Sequence, residues 1–110
     1  MQCALVPREY VNEVWSQVKE YLDGAAQYTH GRYDVDDIYD AVMDYDHTLW
    51  IAFTEQGIKG AVVTNFSHYP KKKYLVMVFC GGVELDQWKD PMLKLLQHFA
   101  HDTQCNGIEA

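Results

Sequence analysis

The sequence predicts an α/β fold in which a mixed, mostly antiparallel sheet carries helices on both faces, in the order β-α-α-β-β-β-α-β. Three patterns predict it: apolar residues three or four apart early in the chain, an alternating stretch in the middle, and an unbroken apolar run at 74–79. They are typical, in turn, of helices that bury one face, of half-buried strands, and of a strand covered on both faces. Such a mixed order is typical of a layered sheet.

The chain begins with a predicted short strand and a predicted helix. The apolar run 2–6 is followed by Pro7, which suits the first turn of a helix because its missing N–H would have no partner there. Within 8–22 the apolar residues have the spacing of one buried helix face. They are Val11, Val14, Trp15, Val18 and Leu22. The polar segment between Gly24 and Gly31 is interpreted as a loop or an irregular helical turn.

A second helix is predicted to begin after Asp34. This residue is a good N-cap, and Asp37 places a negative charge near the helix N-terminus, where it is favoured. The apolar stripe consists of Val35, Ile38, Tyr39 and Val42. Six aspartates lie between 34 and 46, but their spacing does not match a calcium loop, and we interpret them as the solvated face of this helix.

Three strands are predicted next. The alternating run 48–54 turns at Gln56-Gly57 into the run 58–66, which indicates an antiparallel hairpin. The third run, 74–79, is apolar on both faces and is predicted to be a central strand with helices on both sides.

The last third of the chain raises the question of what Cys80-Gly81-Gly82 does. We interpret the two glycines as turning the chain into a loop over 81–90. Asp90 followed by Pro91 predicts the start of the third helix there, and a final short strand is predicted within 105–110. The buried face of that helix is predicted to contain Leu93, Leu96, Phe99 and Ala100.

Charge and composition exclude several classes of function. The net charge of −7 disfavours nucleic acid as a partner, since phosphate binding needs a concentrated positive face. The lysines at 71–73 are interpreted as a solvated edge, with a phosphate or partner contact as the alternative. No apolar run approaches the roughly 20 residues that a membrane span needs, so no membrane association is expected.

The cysteines and histidines predict no metal site. Cys3, Cys80 and Cys105 form no zinc pattern, and a reducing, cytoplasmic setting accounts for such a sparse, odd number. His98 and His101 are three residues apart on a predicted helix, but the sequence contains no third ligand at a spacing typical of a metal site.

The order of elements resembles the GNAT (GCN5-related) N-acetyltransferase family over nearly the whole chain. The stretches "LWIAFTEQGIKGAVVTNF" and "KKKYLVMVFCGG" look most like small GNAT-like proteins encoded in bacteriophage genomes. The resemblance implies one GNAT-like domain over 1–110, in the host cytoplasm or in a virion if it is encoded by a phage. It also implies acetyl-CoA or another acyl-CoA as cofactor, held where the fourth and fifth strands splay apart.

The resemblance places the cofactor site at the end of the fourth strand. The residues implied in binding are Phe79, Cys80, Gly81, Gly82 and Val83. In the family, backbone N–H groups at the start of the next helix hold the diphosphate, because free amides and the helix dipole favour an anion. The family loop (Arg or Gln, two residues, Gly, one residue, Gly or Ala) is not matched by "CGGVELDQWKD", in which two acids follow the glycines.

The chain also departs from the family in length. Complete members continue after the fifth strand with a helix and two strands, and these are expected to be absent here. An uncovered edge strand invites pairing. Two interpretations therefore stay open: the sequence is a fragment of a longer product, or the edge at 105–110 is exposed and favours contact with a second copy of the chain or a partner protein.

Candidate catalytic residues are few. Glu109 on the fifth strand, and His68 and Tyr69 before the fourth strand, are candidates for proton transfer, against the alternative that all three are surface residues. No base that would activate the Cys80 thiol can be identified from the sequence, and Cys80 is interpreted as a small buried residue. Trp88, expected in the loop, could form a recognition surface with Tyr28 and Tyr33.

Two functions therefore stay open. One is an acyl-CoA-dependent N-acyltransferase. The other is a catalytically inactive GNAT-like phage accessory or virion-associated protein that acts through protein contacts. The fold alone does not decide between them, because one fold hosts many functions.

Overall fold

Five strands form one sheet, in which the spatial order follows the chain order. The structure is a computed structural model that describes residues 1–44 and 46–109. Its strands are β1 (Gln2–Val6), β2 (Thr48–Thr54), β3 (Gly57–His68), β4 (Lys73–Gly82) and β5 (Gly107–Glu109). Its α-helices are α1 (Val11–Ala26), α2 (Val35–Met43) and α3 (Leu85–Asp102), and short 3-10 helices flank α1 at Arg8–Tyr10 and Gln27–Thr29. The predicted element order is confirmed.

The pairing is mostly antiparallel, as predicted. Neighbouring strands from β1 to β4 pair antiparallel, and β5 joins β4 in parallel after the crossover through α3. Residue 110, the last of the predicted edge segment, lies outside the described residues.

A hydrophobic layer covers each face of the sheet. On one face α1 and α2 pack against Leu49, Ala61, Val63 and Phe79. On the other face α3 packs against Trp50, Ala52, Val62 and Leu75. β4 therefore has helices on both sides, as its apolar run predicts.

Local signals fix the start of α2. The Asp34 carboxylate accepts from the Asp37 N–H at 2.9 Å, and the Asp37 carboxylate accepts from the Asp34 N–H at 3.0 Å. This reciprocal pair satisfies two amides that the helix itself leaves free, so the predicted cap is confirmed.

The predicted start of α3 is wrong. The helix begins at Leu85, and Pro91 lies inside it, where it cannot donate a backbone hydrogen bond. The reason is burial: the buried face starts at Trp88 and continues through Met92, Leu96 and Ala100, so the apolar stripe begins before the cap signal at Asp90.

No helix within the described ranges is both long and apolar enough to cross a bilayer.

Candidate functional site

A β-bulge near the end of β4 shapes the candidate site. Val63 of β3 pairs with Phe79, but the next residue, Thr64, pairs with Met77, so Val78 is an extra residue in β4. A bulge reverses the alternation of side chains beyond it. Met77 accordingly packs on the α3 side and Phe79 on the α1 side, although they are two residues apart.

The outer edge of β4 is free beyond the bulge. β5 pairs only with Tyr74, Leu75 and Val76. Beyond Val76 the described part of the chain offers β4 no second neighbouring strand. The edge formed by residues 77–82 therefore has backbone groups available to a ligand, and Val78 is 36% exposed.

Two cavities open on either side of this edge. The larger, about 680 Å³, lies between β4 and the C-terminal half of α1 and is lined by Glu20, Tyr21, Tyr28, Val78 and Gly81 among others. The smaller, about 420 Å³, lies between β4 and α3 and is lined mainly by apolar residues, including Val62, Met77, Leu85, Trp88 and Leu93. Cys80 lines both, so the two cavities lie on either side of the β4 edge.

The glycines at the end of β4 are packing residues. An ideal Cβ at Gly81 would overlap the Tyr21 carbonyl oxygen and lie 2.9 Å from its carbon. A Cβ at Gly82, where φ is +150°, would lie 2.5 Å from the Gly60 Cα, and one at Gly60 would run into the Trp88 ring. The prediction that the glycines turn the chain is wrong, because both lie within β4 and bring α1 and Trp88 close to the sheet.

The connection from β4 to α3 is short and internally bonded. It consists of Val83 and Glu84, so the predicted loop 81–90 does not exist. The Val83 N–H donates to the Lys59 carbonyl at 2.8 Å, and the Val83 carbonyl accepts from Trp88 Nε1 at 2.8 Å. The Glu84 carboxylate lies 3.9 Å from Lys59 Nζ.

This connection provides a poor cradle for a diphosphate. The Val83 amide is already used, and Glu84 and Asp86 place two carboxylates where an anion would approach. The free edge of β4, in contrast, suits an uncharged amide chain such as pantetheine. Of the groups in an acyl-CoA, the residues present therefore fit the acyl-pantetheine part and not the phosphates.

Solved structures show the same architecture. A crystal structure of a probable acetyltransferase superposes with a TM-score of 0.76 at 10% identity, over 99% of this chain and 77% of that one. A ribosomal-protein-alanine N-acetyltransferase from Brucella melitensis biovar Abortus 2308 gives 0.70 at 14% identity, over 99% and 78%. A GNAT family acetyltransferase from Staphylococcus aureus gives 0.68 at 12%, over 98% and 83%.

The chain has a GNAT-like fold. A predicted acetyltransferase from Clostridium acetobutylicum, solved with acetyl-CoA, is similar to it with a TM-score of 0.63 at 10% identity, over 97% of this chain and 77% of that one. No protein-family model and no curated protein matches the sequence. At these identities the likeness shows the fold alone, and it confirms the predicted GNAT-like architecture.

In this GNAT-like protein the predicted cofactor residues lie at the free end of β4. Phe79 is buried toward α1, Gly81 and Gly82 are close-packed, and Val83 is exposed in the turn. Their role in binding stays a prediction.

The prediction that Cys80 is a buried residue is wrong. It is exposed, because the bulge turns it to the α3 side beyond the reach of β5. The atoms around its sulfur still desolvate the thiolate and raise the pKa of Cys80 above its ordinary value. Cys80 is therefore a thiol at neutral pH and a weak nucleophile.

The three predicted catalytic candidates lie apart from the larger cavity. His68 pairs with Lys73 at the far end of β4 from Cys80, which pairs with Val62. The Tyr69 ring packs edge-on against Tyr74 at the same far end. Glu109 pairs with Val76, at the point where the free edge begins, and lies nearest to the site.

The predicted recognition surface of Trp88, Tyr28 and Tyr33 is wrong for Trp88. Trp88 is buried in α3, because its ring packs against Gly60 and its N–H is bonded in the turn. Tyr28 is exposed, and Tyr33 contacts Phe79 edge-on with ring centroids 5.8 Å apart.

Sequence reasoning missed the contribution of α1 to the site. Glu20 and Tyr21 line the larger cavity because α1 crosses close over Gly81. The signal that could have indicated this is the glycine in a strand interior, which often marks a close approach of another backbone.

Proposed function

We propose that this GNAT-like protein binds an acyl thioester along the free edge of β4 and transfers the acyl group to an amine. The observation that carries the proposal is the bulge at Val78, beyond which residues 77–82 have an unpaired edge between two cavities. Pantetheine contains two amides, so it can bond to a strand edge as an added strand does.

Each of the two cavities suits one of the two reactants. The mainly apolar cavity beside α3 suits the pantetheine arm, and the larger cavity beside α1 suits the amine. When bound, the thioester supplies a carbonyl carbon to which the amine nitrogen bonds while the carbon–sulfur bond breaks, the thiolate taking a proton from solvent. The amine must lose its own proton, and Glu20, whose carboxylate can accept one, lines the cavity in which the amine would lie.

Replacing Glu20 with glutamine is expected to lower kcat about 100-fold, the lower end of what a positioned general base contributes. The measurement is thiol release from acetyl-CoA in the presence of a mixture of primary amines that includes amino acids, polyamines and peptides. Glu13→Gln is the matched control, since Glu13 is also exposed on α1 but does not line the cavity.

Thiol release from the wild type at the rate of the protein-free buffer would contradict the proposed transfer. Equal rates for Glu20→Gln and the wild type, with transfer present, would remove Glu20 as the base and leave Glu109 as the next candidate.

A second candidate function is favoured by the closed connection between β4 and α3. A protein that has given up the diphosphate cradle can use the fold as a catalytically inactive phage accessory or virion-associated module. Its contact would be the edge at 105–110, since β5 is the last strand of the sheet, and its setting the host cytoplasm or the virion. Light scattering that shows a homo-oligomer, lost when the edge is changed by Ile108→Pro, together with no binding of acetyl-CoA, would favour this function.

A further inference from the structure

We infer that the protein recognises its donor through the acyl-pantetheine arm alone, with Glu84 acting against the phosphates, so that its substrate class is acyl-pantetheine thioesters in general. This inference rests on the proposed acyl transfer and specifies which part of the donor is bound. It follows from three features of the structure around the connection between β4 and α3.

The first feature is that both backbone groups of Val83, the first residue of the connection, are committed to internal bonds. The Val83 N–H and carbonyl are bonded to Lys59 and Trp88, respectively. The Trp88 ring, whose N–H holds the Val83 carbonyl, is itself held in a slot that Gly60 and Gly82 create. An anion cradle needs amides that point at the ligand, and here the amide of Val83 points into the sheet.

The second feature is the charge at the start of α3. Glu84 is the N-cap residue and Asp86 lies in the first turn. The helix dipole favours negative charge at this end, and these two carboxylates already supply it. Lys59 Nζ lies 3.9 Å from the Glu84 carboxylate, a long distance for an ion pair, and offsets its negative charge only in part. A diphosphate brought here would therefore meet two carboxylates of its own sign, and the Lys59 ammonium already lies beside one of them.

The third feature is the apolar path for the arm. In the cavity beside α3, Leu85 and Leu93 are 48% and 41% exposed, so both present apolar surface that a ligand can cover. The pantoyl segment of pantetheine carries two geminal methyl groups and suits such a surface. Binding energy is thus available along the arm and unavailable at the phosphates.

The test compares two donors by calorimetry: S-acetylpantetheine, which has no phosphate, and acetyl-CoA. We expect their Kd values for the wild type to agree within about threefold, or S-acetylpantetheine to bind more tightly. We expect Glu84→Gln to tighten acetyl-CoA binding about threefold or more, because like-charge repulsion is removed, and to leave S-acetylpantetheine unchanged. Glu13→Gln, on the exposed side of α1, is the control and should change neither Kd.

The outcomes separate this inference from the proposed function. Acetyl-CoA binding ten times more tightly than S-acetylpantetheine would overturn the inference and leave acyl transfer standing, since the phosphates would then be bound. Equal affinities with no effect of Glu84→Gln would overturn the role of Glu84. No binding of either donor to the folded protein would overturn the proposed function, and the inference with it.

Discussion

Replacing Trp88 with alanine is expected to lower the free energy of unfolding by about 3–5 kcal/mol, the usual cost of truncating a buried tryptophan. Trp88 is 1% exposed and fills the space that Gly60 and Gly82 leave open. Its removal would leave a cavity lined by backbone and by α3, and the Val83 carbonyl would lose its donor at 2.8 Å. Chemical denaturation followed by circular dichroism measures the loss.

Trp88→Phe is the companion variant, which stays informative if the alanine variant does not fold. It keeps an aromatic ring in the slot but loses the N–H, so we expect a smaller loss of about 1–3 kcal/mol. An alanine variant that unfolds at the same denaturant concentration as the wild type would contradict the packing of Trp88 against the sheet.

Replacing Gly81 with alanine is expected to cost about 3 kcal/mol, the upper end for overpacking a core. The added Cβ would overlap the Tyr21 carbonyl oxygen, which is backbone and cannot rotate away. The helix α1 would have to lift from β4, and the larger cavity between them would change shape. Thermal or denaturant unfolding measures the effect.

Gly24→Ala is the matched control for Gly81→Ala. Gly24 lies within α1, and an added Cβ there would meet nothing within 4 Å. Alanine is favoured over glycine in a helix by about 1 kcal/mol, so this variant should be more stable than the wild type. The same change at the two glycines should therefore have opposite signs. A Gly81→Ala protein as stable as the wild type would contradict the close approach of α1 to β4.

The fold could be predicted from the sequence where local patterns and tertiary packing agree. The bounds of β2 match the alternating run 48–54, because a turn follows it; both faces of the strand are covered, since Leu49 is buried on one side and Trp50 and Ala52 on the other. The cap at Asp34 is a local interaction, and the sequence contains all of it. The start of α3 depends on Trp88 finding its slot beside Gly60, a contact that no local pattern records.

The candidate site was less predictable. The long apolar run located β4, but the end of the strand was predicted before Gly81 and lies at Gly82. The bulge at Val78 has no sequence signature. In a regular strand Cys80 would face the α1 side, which fits the interpretation from the sequence that it is buried. Glu20 is one of three exposed acids on α1, with Glu13 and Asp23. Only the packing of that helix over Gly81 distinguishes it from the others.

The most direct test of acyl-thioester binding at β4 is a titration of the ¹⁵N-labelled protein with S-acetylpantetheine, followed by the amide resonances in NMR spectra. We expect saturable shifts for the free edge, from Met77 to Gly82, and for Tyr21 on the facing helix. The amides of Tyr69 and Lys72, in the turn at the other end of β4, should not move. Unchanged amides along 77–82 at saturating ligand would contradict the proposed site.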